Sequence, residues 1–257
     1  MAEERQTKYT IAECFELPSK GKIYDVQVNP RIELRSMTAR DEMKRQNPNG
    51  ASQFKKLADI IEGCMIEKPA IHVYDMALSD YEFLLHKLRI VTYGSKYKMS
   101  ITCPHCYHTF ETEADLDQIQ VLEFDEDKFE AARTITLPVS GDTIKLRVQT
   151  PRMLDEIENQ VKEAKRKYKA AEIDFDLYFL LKNIIEEVNG AKMEMAKLET
   201  YINTLAAKDM LKIVNSIDAV NNCIGLDTSL IVDCPSCGGE VLTSFRFGPE
   251  FFRPTNI

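Results

Sequence analysis

ITCPHCYHTF (residues 101–110) and IVDCPSCGGE (residues 231–240) decide how the rest of the chain is read. Each stretch sets two cysteines around a proline and one further residue, between segments that alternate as strands do. A Cys-Pro-x-Cys turn exposes backbone N–H groups that can hydrogen-bond thiolate sulfurs and lower their charge. Two thiolates make an incomplete site, whereas a structural zinc takes four ligands in a tetrahedron with Zn–S near about 2.3 Å. The expectation is one structural zinc ion shared by Cys103, Cys106, Cys234 and Cys237. His105 or His108 could instead complete a site on the first knuckle, but the second knuckle offers no equivalent histidine. The remaining alternative is metal-free thiols. A thioredoxin-like redox pair is a poor reading, because neither knuckle leads from a strand into a helix. A closed four-thiolate site has no open coordination position, so it argues for architecture rather than metal catalysis.

The segments around the knuckles repeat. Ile32–Arg40 and Ile144–Arg152 share I-x-L-R-x-x-T-x-R without a gap, and a Leu-Pro pair precedes each, at Leu17-Pro18 and Leu137-Pro138. Gly94 and Cys103 align with Gly225 and Cys234 at a common offset. The expected fold is α+β and internally duplicated. Each half is a β-hairpin, helices and a CPxC zinc knuckle, and the halves join at a shared zinc-ribbon-like site. Residues 1–115 form the first repeat, 116–130 an acidic connector, and 131–257 the second repeat with an aromatic C-terminal tail.

Local signals fill in the elements. Residues 9–35 read as strands around the turn Pro18–Gly21, and 134–149 as a hairpin around Ser140-Gly141-Asp142. Thr38 with Asp41 approximates a capping box, and Ser79 with Glu82 provides another for the apolar helix that ends near Gly94. A helix over about 52–67 has Phe54, Leu57, Ile60, Ile61 and Cys64 on one face. Thr150 caps a helix with Pro151 at its first position, and its stripe Leu154, Ile157, Val161, Ala164 and Tyr168 reads as an intramolecular core face. Further helix is expected over about 174–188 and 195–222, interrupted near Leu205.

Composition narrows the function classes. Of 257 residues 44% are apolar and 29% charged, a globular balance that excludes disorder for most of the chain. No apolar run approaches a membrane span, and MAEERQTKYT lacks a signal-peptide pattern. The net charge of −8 weighs against nucleic-acid binding, and the cluster Lys165, Arg166, Lys167 and Lys169 reads as a solvated helix face. Seven cysteines in a chain that reads as intracellular argue against a disulfide framework. No nucleophile elbow, phosphate loop, dinucleotide fingerprint or zinc-protease helix is present. His86 reads as a structural histidine, and Cys14, Cys64 and Cys223 as inert core residues. Phe245 and Phe247 alternate as sheet residues do. Phe251 and Phe252, between Pro249 and the stiffening Pro254, are harder to bury locally and are the expected partner contacts.

FELPSKGKIYD (15–25), followed by IELRSMTARDEM (32–43), resembles the opening of baseplate and tail-assembly proteins of contractile-tailed phages. CPSCGGEVLTSFRFGPEFFRP (234–254) is similar to the ending of the T4-type baseplate hub group, a cysteine pair followed by an FF-x-P tail. The resemblance implies a non-enzymatic structural or assembly component of a phage tail baseplate, at or near the hub. Its implied partners are other baseplate or tail proteins, with no small-molecule substrate, no nucleic acid and no membrane. Its implied place is the virion, assembled in host cytoplasm. The competing reading is a zinc-ribbon adaptor that binds nucleic acid or transcription machinery.

Overall fold

Short hairpins alternate with helices along the chain, and several helices open on a capping side chain. The computed structural model describes residues 11–48, 51–169, 172–245, 247 and 249–252. The opening MAEERQTKYT, Asn49-Gly50 and Pro254 lie outside these. Strands β1 (Ala12–Glu16) and β2 (Arg31–Arg35) pair antiparallel, with Phe15 opposite Ile32. Helix α1 (Ala39–Gln46) starts on the expected capping box, Thr38 and Asp41 each bonding the other's backbone N–H. Helix α2 (Gln53–Cys64) begins at Ser52, and Met65 just beyond it bridges Leu34 of β2.

Helix α3 (Leu78–Tyr93) is buried along most of its length and stops at Gly94, whose φ is 84°. The Ser79–Glu82 box does not form. The helix opens at Ala77 without a side-chain cap, because Asp80 in its first turn is drawn inward. That carboxylate is fully buried. It accepts the Ser19 N–H at 3.1 Å, the Ser19 hydroxyl, and the Tyr24 hydroxyl at 2.6 Å.

Strands β3 (Lys96–Thr102) and β4 (Thr109–Asp115) carry the first knuckle between them. In the acidic segment Val121 bridges Leu226, and helix α4 (Glu126–Arg133) brings Phe129 into the core of the following half, beside Phe124. Strands β5 (Thr134–Thr136) and β6 (Thr143–Leu146) form the second hairpin. Helix α5 (Pro151–Lys167) starts at Thr150 with proline in the first turn, as its sequence requires.

The helix expected to run to residue 188 is shorter. Helix α6 (Phe175–Ile184) ends at Ile184, and β7 (Ile185–Val188) adds a third strand to β6. The open edge of β6 offers Ile185 and Val188 ladder bonds and a buried face, which outweighs their continuation as helix. Helices α7 (Met195–Thr204) and α8 (Ala207–Asn221) follow, broken at Leu205 as expected. Strands β8 (Ser229–Asp233) and β9 (Glu240–Ser244) carry the second knuckle.

Two main cores result. One gathers Leu17, Leu34, Ile61, Leu84 and Leu88, and the other Ile144, Leu146, Ile184 and Ile213. The C-terminal segment returns to the first. Phe251 and Phe252 are each 1% exposed there, and Arg89 Nε donates to the Phe251 carbonyl at 3.1 Å. This corrects the expectation that these two rings contact a partner. Aromatic neighbours Tyr97 and Phe247, together with the α3 face, bury what no local strand could.

The halves meet at the start of α5. The Leu78 N–H donates to the Gln149 carbonyl at 2.8 Å. Buried Asp155 accepts the Tyr74 hydroxyl at 2.7 Å and the Ser52 hydroxyl, and Arg152 pairs with Asp75.

Candidate metal centre

The β3–β4 and β8–β9 ribbons lay their inner faces together through Ile101, Phe110 and Val241, with Met99 and Val232 at the margin. This packing aims both knuckles at one point. Both knuckles use the same backbone bonds. In the first, the Cys103 N–H donates to the His108 carbonyl and the Tyr107 N–H to the Cys103 carbonyl, each at 2.9 Å. In the second, the Cys234 N–H donates to the Gly239 carbonyl at 2.9 Å and the Gly238 N–H to the Cys234 carbonyl at 2.8 Å.

The four sulfurs of Cys103, Cys106, Cys234 and Cys237 lie within 4.8 Å of one another. Cys103 Sγ is 3.7 Å from Cys237 Sγ, and Cys106 Sγ is 3.7 Å from Cys234 Sγ. A disulfide would bring the sulfurs to about 2.0 Å. Four thiolates about 2.3 Å from a central zinc stand roughly 3.8 Å apart along each tetrahedron edge. The spacing therefore fits a metal ion between the sulfurs and does not fit a covalent bond. Cys103 and Cys234 are buried and the other two exposed, so the cluster is half inside the ribbon core.

The electrostatics point the same way. Burial opposes the Cys234 thiolate. Backbone N–H groups of Cys237 and Ser236 and the neighbouring thiols outweigh it and bring the group down to about 7. At Cys237 the Gly239 N–H favours the thiolate, but the surrounding sulfurs prevail and push the group up to about 12. Thiols this close do not ionise together without a cation to compensate them. The donor set is all sulfur, which suits zinc over oxygen-seeking calcium or magnesium.

Neither first-knuckle histidine joins the cluster. His105 Nε2 lies 3.1 Å from the Glu240 carbonyl, and His108 stacks on Phe110. His105 covers Gly239, where an added Cβ would sit 3.0 Å from the imidazole. The first knuckle thus meets the second through a ring that lies close over Gly239.

Of the other cysteines, Cys64 is buried and its thiol pushed up to about 12 by desolvation, whereas Cys14 is exposed, against expectation. Cys14 lies in β1 opposite Glu33 of β2. His86 is fully buried. Its Nε2 meets the Leu116 carbonyl at 3.0 Å and its Nδ1 has no partner among the described residues.

A cavity of about 770 Å³ lies between the halves, lined by Tyr24, Asp75, Arg147 and Glu186 among others, with no serine, cysteine or histidine in its wall. Much of its charge is already paired, Arg133 with Glu186 and Arg152 with Asp75.

Among the buried aspartates that the reading of the sequence missed, two hold turns. Asp209, 1% exposed in the first turn of α8, accepts the Val139 N–H at 2.8 Å and the Ser140 N–H at 3.0 Å. Asp80 does the same work for the turn after Leu17-Pro18. The usable signal was an aspartate three residues after an uncapped alanine, in Ala77-Leu-Ser-Asp80 and Ala206-Ala-Lys-Asp209.

A protein-family model described as T4 bacteriophage base plate protein matches residues 8–253, nearly the whole chain. No curated protein and no solved structure matches. No helix among the described residues is long and apolar enough to cross a membrane.

Proposed function

The chain belongs to the T4 bacteriophage base plate protein family, and on that premise we propose that it is a non-enzymatic structural or assembly component at or near the baseplate hub. It acts through contacts with other baseplate or tail proteins and is assembled in host cytoplasm into the virion tail. One zinc ion held by Cys103, Cys106, Cys234 and Cys237 fastens its halves together.

The observation that carries this reading is the convergence of four sulfurs from two ribbons far apart in sequence, at tetrahedral spacing. Closed four-thiolate coordination leaves no position for substrate or water, so the ion would add folding energy rather than chemistry.

The halves themselves read as two copies of one plan. Leu34 bridges Met65 just after α2, and Leu146 pairs with Ile185 just after α6. Asp80 and Asp209 each hold the turn that follows a Leu-Pro pair. The two helical bodies nevertheless pack unequally. The start of α5 docks on the first half, while α1 packs chiefly on its own α2.

Elemental mass spectrometry of purified protein tests the clamp. About one zinc per chain is expected, lost when either Cys103/Cys106 or Cys234/Cys237 is changed to serine. Two zincs, with each variant losing one, would separate the sites, and a metal-free protein would end the zinc reading.

A further inference from the structure

The outer faces of the two ribbons differ in a way that their shared inner role does not explain. On β3–β4 the outward cross-strand pairs satisfy one another. Lys96 pairs with Asp115 at 3.0 Å, Lys98 stands opposite Glu113, and Thr102 bonds Thr109 at 3.0 Å. Ser100 and Glu111 complete that face, both exposed. The surface is polar, with two cations set against three carboxylates and no exposed aliphatic side chain.

The corresponding positions on β8–β9 carry the opposite chemistry. Where Ser100 and Glu111 stand on the first ribbon, Ile231 and Leu242 face each other on the second, 64% and 74% exposed. Where Thr102 and Thr109 stand, Asp233 and Glu240 are directly opposed, both exposed. Neither carboxylate has a cation partner among the described residues. A like-charge cross-strand pair weakens a hairpin, and an exposed aliphatic pair leaves apolar surface in water. The inner faces of both ribbons pack apolar residues together beneath the knuckles, so this outer pattern is not demanded by the knuckle.

We infer that the outer face of β8–β9 is a docking surface for another baseplate protein whose aliphatic patch is bordered by lysine or arginine side chains. The inference rests on the baseplate reading above. Ile231 and Leu242 fill the apolar centre of the contact, and Asp233 and Glu240 meet the partner's cations at its rim. A second copy of this chain is the wrong occupant. The outward positions of β8–β9 include no lysine or arginine to answer Asp233 and Glu240, so a second copy of this face, on a chain of charge −8, offers them no complementary charge.

The test gives the second ribbon the residues of the first. A photo-crosslinking amino acid is placed at 242, and as a control at 111, in the full-length chain made in infected cells. The expected adduct from 242 is with a different tail protein, at a segment where aliphatic residues adjoin lysine or arginine, and position 111 gives at least roughly tenfold less. In parallel, Ile231→Ser with Leu242→Glu lowers infectious titre by at least about tenfold, while the purified variant keeps its melting midpoint and metal content. An adduct with a second copy, equal yields at 242 and 111, or normal titre in the double variant overturns the surface. Mass spectrometry of purified baseplates and their intermediates separates the two levels. If the chain is present but silent at 242, only this surface falls. If it is absent from every intermediate, the baseplate reading falls with it.

Discussion

The knuckle between β3 and β4 and the knuckle between β8 and β9 follow one backbone path with different side chains. Each closes with the same two backbone hydrogen bonds, and each needs a left-handed residue directly after its second cysteine. The second knuckle uses Gly238 there, with φ at 69°. The first uses Tyr107 at 59°, with its ring 81% exposed. A residue with a Cβ loses about 1–2 kcal/mol in that conformation, and glycine loses nothing on that account. The first knuckle therefore holds its shape against local preference. The sulfur cluster, the ribbon core and the His105 contact on Gly239 impose the turn from outside it. Geometry is common to the two knuckles because the site needs it. Side chains that the site does not need differ between them.

The largest expected effect probes that equivalence directly. Cys103→Ser/Cys106→Ser and Cys234→Ser/Cys237→Ser should each cost on the order of 5 kcal/mol or more in urea unfolding, by equal amounts, because either change dismantles the same site. Unequal losses would show that one ribbon stands without the other.

The two Leu-Pro turns give the next test. Asp80→Ala strands the Ser19 N–H, the Ser19 hydroxyl and the Tyr24 hydroxyl, and should cost about 4 kcal/mol. Asp209→Ala strands only the Val139 and Ser140 N–H groups and should cost about 3 kcal/mol. Denaturant midpoints for the pair would rank the halves, and a larger loss at Asp209 would contradict the bonding pattern.

Acid should then distinguish the halves. Burial pushes the His86 imidazole from its ordinary 6.5 down to about 4, and the corresponding stretch of α8 has no histidine. Between those values the unfolded chain binds a proton that the folded chain does not. Stability from this group is complete above pH 6.5 and drains away as the pH falls towards 4. The loss amounts to about 3 kcal/mol, measurable by melts across that range. Burial pushes Glu82 on the same helix up to about 7, which works over the same range with the opposite sign, so the difference between wild-type and His86→Gln melts isolates the histidine, and no difference would assign the slope elsewhere.

The smallest effect returns to the knuckle turn. Tyr107→Gly should stabilise by about 1 kcal/mol, and Gly238→Ala should destabilise by about the same. A destabilising Tyr107→Gly would reveal a contact of the tyrosine ring that offsets its strain.

How much of this was readable from the chain depended on how far apart the deciding groups lie. Thr38 with Asp41, Thr150 with Pro151, and Gly94 act within one helical turn, and each did what its spacing implied. Ser79 with Glu82 had the same local credentials and formed no box, because Asp80 answered to Ser19, sixty-one positions away. Ile185–Val188 had helical neighbours and became a strand because β6 had an open edge. Phe251 and Phe252 looked too crowded with prolines to bury, yet α3 and Tyr97 supplied the room.

Cysteine spacing, hairpin turns and helix caps were enough to establish an α+β chain with two knuckles, and the resemblance of residues 15–43 and 234–254 pointed to baseplate proteins. They state the chemistry of each segment, and that chemistry acts over a few residues. Packing alone settled where the C-terminal rings go, which strand joins β6, and which aspartates are drawn inward. Those outcomes depend on groups brought together across the fold, where burial, charge and hydrogen bonding take the values that the assembled neighbours impose.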